Sequence, residues 1–141
     1  RLIGFENRAV LDDDFRNDDV VAGELGAGHQ VTALYELTLR TGFGGADGEL
    51  GTVRLRWEDP DDGSVDETSL RLAGDLPADS WGDTDDDFRL AVSVAAWAEL
   101  LRESPYAGEV TMDQIQTEVD ALSTGSGAIN ELSDLIALSR R

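Results

Sequence analysis

One histidine, several aspartate clusters and two glycine-framed segments are the residues whose types could carry chemistry in this chain. His29 is the sharpest of them. It follows Gly23, Gly26 and Gly28 in the stretch GELGAGHQVTALYE, residues 23–36. An imidazole titrates near neutrality, so a histidine beside a glycine turn can serve as a general base or a metal ligand. On that reading the chain is a hydrolase centred on His29. The other reading is structural: the ring bonds a backbone carbonyl or a carboxylate and fixes the turn. Glycine adopts positive φ and permits close backbone approach, so Gly23, Gly26, Gly28 and His29 form a built junction between a turn and a strand. A zinc site needs three or four clustered nitrogen or sulfur ligands, and the chain has one histidine and no cysteine.

The aspartates supply hard oxygen donors suited to calcium. They cluster at Asp12, Asp13 and Asp14, at Asp18 and Asp19, at Asp59, Asp61 and Asp62, and at Asp83, Asp85, Asp86 and Asp87. Asp83, Asp85 and Asp87 reproduce the start of a calcium loop, which makes them weak calcium candidates. That loop then requires a glycine where Phe88 stands and a glutamate where Val94 stands. The competing reading is helix capping and a solvated acidic surface. Nucleophilic and phosphate-binding motifs fare worse. The GSG at 125–127 is not a nucleophile elbow and precedes a helix pattern in a polar connection. The GFGG at 42–45 lacks the lysine and spacing of a phosphate loop. Carboxylate pairs are too abundant to be diagnostic. No catalytic constellation stands out, so a non-enzymatic domain with no required cofactor is expected.

Composition narrows the partners. The formal net charge is -19, from 30 acidic and 11 basic residues, and every base except His29 is arginine. Nucleic acid and anionic membrane surfaces both call for clustered positive charge, so neither is an expected partner of this domain. Such a charge favours solubility and leaves cations and basic proteins as partners. No apolar run approaches the roughly 20 residues of a membrane-spanning helix. The chain opens with Arg1, already within a strand-like pattern, and is expected to be an excised piece of a longer protein.

The elements that must position these residues fall into two halves of one domain over 1–141. The strand-rich half, 1–73, starts with a strand over 2–9 and continues through an acidic loop or short helix over 11–22. In 30–40, Val31, Ala33, Tyr35, Leu37 and Leu39 share one face and Thr32, Glu36, Thr38 and Arg40 the other, which predicts a strand. A glycine-rich loop over 41–51 follows. In 52–58, Val53, Leu55 and Trp57 alternate with Arg54, Arg56 and Glu58, the mark of a half-buried antiparallel strand. The turn DPDDG at 59–63 then leads to a hairpin partner over 64–72. Together these predict an antiparallel sheet of about four strands.

The helical half, 84–141, starts after a polar loop. Thr84 with Asp87 matches a capping box, and 85–103 reads as a helix. Its core, LAVSVAAWAELL (90–101), is apolar almost all round, with Arg89, Ser93 and Glu103 as a narrow polar stripe. Such a helix is expected to be buried across the sheet. A second box, Thr111 with Gln114, precedes Met112, Ile115, Val119 and Leu122 at helical spacing, and Ile129, Leu132, Leu135 and Ile136 mark a last helix. Strands followed by helices define an α+β class, with one very apolar helix and two further C-terminal helices against the sheet. Of the tryptophans, Trp57 falls on the inward strand face and Trp97 in the buried-helix pattern. Trp81, in the polar loop, is the candidate exposed anchor.

Three stretches resemble one family in their order and spacing: RLIGFENRAV (1–10), GELGAGHQVTALYE (23–36) and DDFRLAVSVAAWAELLRESPYAGE (86–109). They are similar to the C-terminal domain of unknown function of bacterial von Willebrand factor type A (VWA) proteins. The resemblance covers about residues 1–110. It implies a secreted protein of the cell envelope, often lipid-anchored through an upstream signal, a VWA domain in the same chain, and a strand upstream of Arg1. The VWA metal motif DxSxS does not occur here, so no metal residue carries over. What does carry over is an accessory role: positioning the VWA domain or binding another envelope protein. Glu6, Asn7 and Arg8, inside the first matched stretch, are the candidate interface to the VWA domain or, alternatively, an internal polar group at the sheet edge. The alternative function is a calcium-dependent structural or adhesion module that uses the aspartate loops.

Overall fold

The computed structural model describes residues 1–4, 9–40, 48–75, 77, 80–122 and 126–140. The GFGG motif at 42–45, within the expected glycine-rich loop over 41–51, and the interface candidates Glu6, Asn7 and Arg8 lie outside the described residues. In chain order the elements are a short 3-10 turn at Asp12–Asp14, strands β1 (Glu49–Glu58) and β2 (Val65–Ala73), a second 3-10 turn at Trp81–Asp83, and helices α1 (Asp86–Leu101), α2 (Met112–Leu122) and α3 (Gly127–Leu138). The class is mixed α and β. Two compact units share the chain: one takes Arg1–Phe5, Thr32–Glu36 and Ser80–Arg141, the other Glu6–Val31 and Leu37–Asp79.

The second of these units is built on a hairpin. β1 and β2 pair antiparallel, with Val53 opposite Leu70, Leu55 opposite Thr68 and Trp57 opposite Asp66. Leu50 is an extra residue in β1, because Glu49 faces Ala73 and Gly51 already faces Leu72. The strand therefore starts inside the stretch expected to be loop. The turn follows its residue types. The Asp59 amide donates to the Ser64 carbonyl at 2.8 Å, the Gly63 amide donates to the Asp59 carbonyl at 2.8 Å, and Gly63 takes a φ of 71° that a side chain would resist.

Four strands were expected, and the sheet among the described residues has two. Among the described residues, the predicted strands over 2–9 and 30–40 are represented by one isolated antiparallel bridge, Leu2 to Tyr35. The alternation in 30–40 is real, but a strand needs a neighbour to complete its backbone bonds, and among the described residues only its middle has one. With a single layer of two strands, the apolar face is uncovered by its own sheet: Trp57, expected to face inward, is 48% exposed.

The other unit carries the core. Ile115 and Val119 on α2 and Ile136 on α3 are buried, with Ala96, Trp97, Leu100, Ile129 and Leu132 packed against them. α1 is capped one residue later than the capping-box pattern indicates: Asp85, not Thr84, is the N-cap, and its carboxylate accepts the Phe88 amide at 2.7 Å. Aspartate caps at least as well as threonine, and the Thr84 hydroxyl instead donates to the Trp81 carbonyl at 2.7 Å. The second box forms as its pattern predicts, with the Thr111 amide donating to Gln114 at 2.8 Å and the Gln114 amide to the Thr111 hydroxyl at 3.3 Å.

α1 is not buried all round. Val94 and Leu101 are exposed, and the fully buried positions are Ser93 and Glu99. Its polar stripe turns out to be part of a packed side. Arg89 pairs with Glu118 of α2 through its Nε at 2.7 Å, and the Ser93 hydroxyl donates back to the Arg89 carbonyl at 2.8 Å. Trp97 joins α1 to the end of α3 by donating to the Ser139 hydroxyl at 3.0 Å. No helix among the described residues is long and apolar enough to cross a membrane.

Candidate functional site

The end of α1 is where the described chemistry concentrates. The helix stops in a two-bond C-terminal motif: the Glu103 amide donates to the Leu100 carbonyl at 3.1 Å and the Ser104 amide to the Glu99 carbonyl at 2.9 Å. That motif needs a left-handed residue, normally glycine, just past the helix. Glu103 fills the place at a φ of 53°, the one non-glycine residue of positive φ among the described residues. Backbone strain of this kind persists only where the surroundings enforce it.

The surroundings here are polar. The Glu99 side chain is 5% exposed and lies 2.7 Å from the Arg102 guanidinium. The pair is close but off-axis, so neither carboxylate oxygen receives an aligned hydrogen bond. The nearby Ser104 hydroxyl, and then Arg102 and Arg1, hold the carboxyl below the ordinary glutamate value against the burial that pushes it up. Arg102 also reaches back to the N-terminal segment, donating to the Gly4 carbonyl at 3.2 Å. The Arg1 guanidinium sits 4.3 Å from the centre of the Tyr106 ring, a cation–π distance, and its Nε donates to Glu36 at 2.9 Å. Arg1, Gly4, Glu36, Glu99, Arg102, Ser104 and Tyr106 thus form one connected cluster. It joins parts of all three resembling stretches, 1–10, 23–36 and 86–109.

That cluster was not predicted from residue types. Its one legible signal is Glu99, the single acid within the apolar run 90–101, which the polar stripe left out. A lone carboxylate amid apolar residues demands a partner. What the arrangement can do is hold the segment at Arg1–Gly4 to the helix end.

The other candidates are dispersed. His29 is exposed, and its ring lies against Gly26, where a Cβ would come 2.7 Å from Nδ1. Its amide closes a turn to the Gly26 carbonyl at 3.1 Å, and Gly28 has a φ of 77°. Two of the three glycines of the junction are therefore accounted for by close approach and positive φ. For Gly23 no neighbour lies near the position of a Cβ. Of the weak calcium candidates, Asp85 uses an oxygen on its helix cap and Asp83 accepts from the Ser80 hydroxyl at 2.7 Å, while Asp87 is exposed. Among the described residues, no group of three or more histidine, aspartate or glutamate side chains is placed to hold a metal ion. Trp81 is 43% exposed and tilts against Phe88 at 6.1 Å between ring centres, so it is half anchored to the first turn of α1.

A different polar cluster joins α2 to α3. The Ser133 hydroxyl donates to Asp120 at 2.5 Å, and Gln116 donates to Asp120 at 2.9 Å and to the Ser133 hydroxyl at 2.6 Å. The Ser133 and then Gln116 bonds hold the Asp120 carboxyl below the ordinary aspartate value. These bonds clasp α2 to α3.

Comparison with known proteins bears on the whole chain. Residues 1–141 match the family model described as "Uncharacterized protein YfbK, C-terminal". The uncharacterized protein YfbK of Escherichia coli (strain K12) is 30% identical over 132 residues, which cover 82% of this chain and 22% of that protein. The chain thus spans about a fifth of the length of the curated relative it matches. No solved structure matches it. With the family model covering every residue from Arg1 to Arg141, the chain belongs to the family of YfbK C-terminal domains.

Proposed function

We propose that the chain is a non-catalytic accessory domain that positions a VWA domain of the same protein, or binds another protein of the cell envelope. The observation that carries this reading is the cluster at the end of α1. The stretches that resemble the VWA-associated tail meet there through Arg102 to Gly4, Arg1 to Tyr106 and the buried Glu99. Residues of the three resembling stretches hold a segment in place. An enzyme of this size would be expected to aim such a cluster at a substrate cleft.

The relative's greater length is consistent with a domain that works beside others. A secreted, lipid-anchored setting belongs to the same proposal and rests on the resemblance alone. The test is association of the purified chain with the VWA domain encoded in the same gene, followed by size-exclusion and titration calorimetry. The expected result is measurable binding that charge reversal at Glu6 or Arg8 weakens several-fold. Absence of binding to that domain and to envelope proteins sinks the reading.

A further inference from the structure

The two faces of the β1–β2 hairpin divide its charge unequally. Directly opposed residues share a face, so Val53 with Leu70, Leu55 with Thr68 and Trp57 with Asp66 line one side, joined by Leu72 opposite Gly51. The hairpin's three cations, Arg54, Arg56 and Arg71, alternate onto the other side. There they meet carboxylates: Arg56 pairs with Asp18 and Arg71 with Glu49, while Arg16 reaches Glu67 on the same side. The first side carries one charge, Asp66, beside Trp57. From that end the strands run into the turn that holds Asp59, Asp61 and Asp62. Val53, Leu55, Trp57 and Leu70 are exposed. The face is thus an apolar strip with an acidic end.

We infer that this face docks a basic amphipathic helix of a partner protein. The helix lays its apolar side on Val53, Leu55 and Leu70 and a lysine or arginine on Trp57 and Asp66. Three arguments select that occupant. A two-stranded sheet is marginal until a further layer covers it, and a helix is an element that packs on one sheet face. From Val53 to Trp57 the strip runs about 14 Å, the length of roughly two and a half helical turns. The acidic end sets the charge: a cation there gains Asp66 and the negative margin of the turn, and the Trp57 ring offers it a cation–π contact. An acidic partner meets repulsion. So does a second copy, because each chain carries a net charge of -19. The inference rests on the protein-binding role proposed above and deepens it by naming the chemistry of the partner surface.

The probe is a synthetic amphipathic helical peptide with leucines on one face and lysines on the other, titrated into the 141-residue chain and followed by methyl NMR. The methyl signals of Val53, Leu55 and Leu70 and the indole N–H of Trp57 are expected to shift together. Trp57→Ala is expected to weaken binding by about tenfold, as for an aromatic anchor. Asp66→Lys is expected to weaken it by roughly fivefold. Asp13→Lys makes the same change in net charge, in the 3-10 turn outside the face, and is expected to leave affinity as it was. Equal weakening by the two lysine variants overturns the inference, since it reduces the effect to net charge. So does equal binding of a peptide with glutamates in place of the lysines, or shifts that miss these four residues. Methyl signals that broaden with protein concentration before peptide is added also overturn it, because they assign the face to a second copy. The two proposals fail separately. Peptide binding at this face in a chain that ignores the VWA domain and envelope proteins keeps the docking face and removes the accessory reading. A bound VWA domain with no peptide binding does the reverse.

Discussion

The two compact units of this chain are stabilised by different physics. The helical unit buries Ile115, Val119 and Ile136 to 3% exposure or less. In the hairpin unit no described residue is buried, and the ties across it are charged. Arg16 forks onto Glu67 with bonds of 2.9 and 2.8 Å, and Arg56 reaches Asp18 at 2.5 Å, so the acidic stretch after the first 3-10 turn lies on the polar face of β1 and β2. The opposite face, with Val53, Leu55, Trp57 and Leu70, is 44–64% exposed. A two-stranded hairpin is marginal in water by itself, and surface ion pairs add little to it. Apolar burial and screened charge therefore divide the molecule, and each responds to its own perturbation.

The sharpest way to break the comparison is to remove the core of one unit and watch the other. Ile136 is fully buried, and Ile136→Ala deletes three buried carbons from the last turn of α3. A loss of about 2–5 kcal/mol is expected, which approaches the whole stability of a small domain. Thermal unfolding followed by helical circular dichroism reads it, and the hairpin amides read by NMR are expected to shift little. If the hairpin signals collapse together with the helices, the two units are one cooperative structure and the contrast fails.

A smaller effect of opposite sign is expected at the strained residue that closes α1. Glu103→Gly relieves a φ of 53° that costs a non-glycine residue about 1 kcal/mol. The change is expected to raise the melting temperature of the helical unit, offset partly by the greater freedom of glycine in the unfolded chain. An unchanged or lower melting temperature would mean that the Glu103 side chain contributes enough to outweigh its backbone.

What could be read in the sequence follows the same division. The hairpin was legible because its signals are local: alternation in 52–58 and a DPDDG turn whose glycine takes the required φ. The helices were legible from spacing, and Thr111 with Gln114 caps as its pattern indicates. The strand over 30–40 has the same alternation as 52–58 yet forms one bridge among the described residues, because pairing depends on a partner that local pattern does not specify. The α1 polar stripe was legible as residues but not as a side. Arg89 and Ser93 look solvent-facing until Glu118, far along the chain, supplies the partner. Glu99 and Arg102 were missed for the same reason: their meaning depends on Gly4 and Arg1, about a hundred residues away. His29 and Gly26 were legible as a junction because they are neighbours, and the ring lies against the glycine.

The gentlest perturbation separates the units by charge alone. The Arg16 hydrogen bond, with help from its charge and those of Arg56 and Arg54, keeps the Glu67 carboxyl below the ordinary glutamate value of 4.5, against an opposing cost of burial. A carboxyl depressed in the folded state contributes stability that is fully present above its unfolded value and is lost as pH falls through its folded value. Acidification below 4.5 is therefore expected to loosen the stretch that carries Arg16 from β2, while the apolar core around Val119 does not titrate. Added salt should act in the same direction at neutral pH, since both groups face water and their attraction is screened. Chemical shifts of the Arg16 and Glu67 amides, followed through an acid titration with and without salt, read both effects. In Glu67→Gln the acid-induced change at Arg16 is expected to vanish and its salt dependence to fall. An Arg16 signal that titrates unchanged in that variant would show that another carboxylate holds the segment, and the charged tie across the hairpin unit would have to be reassigned.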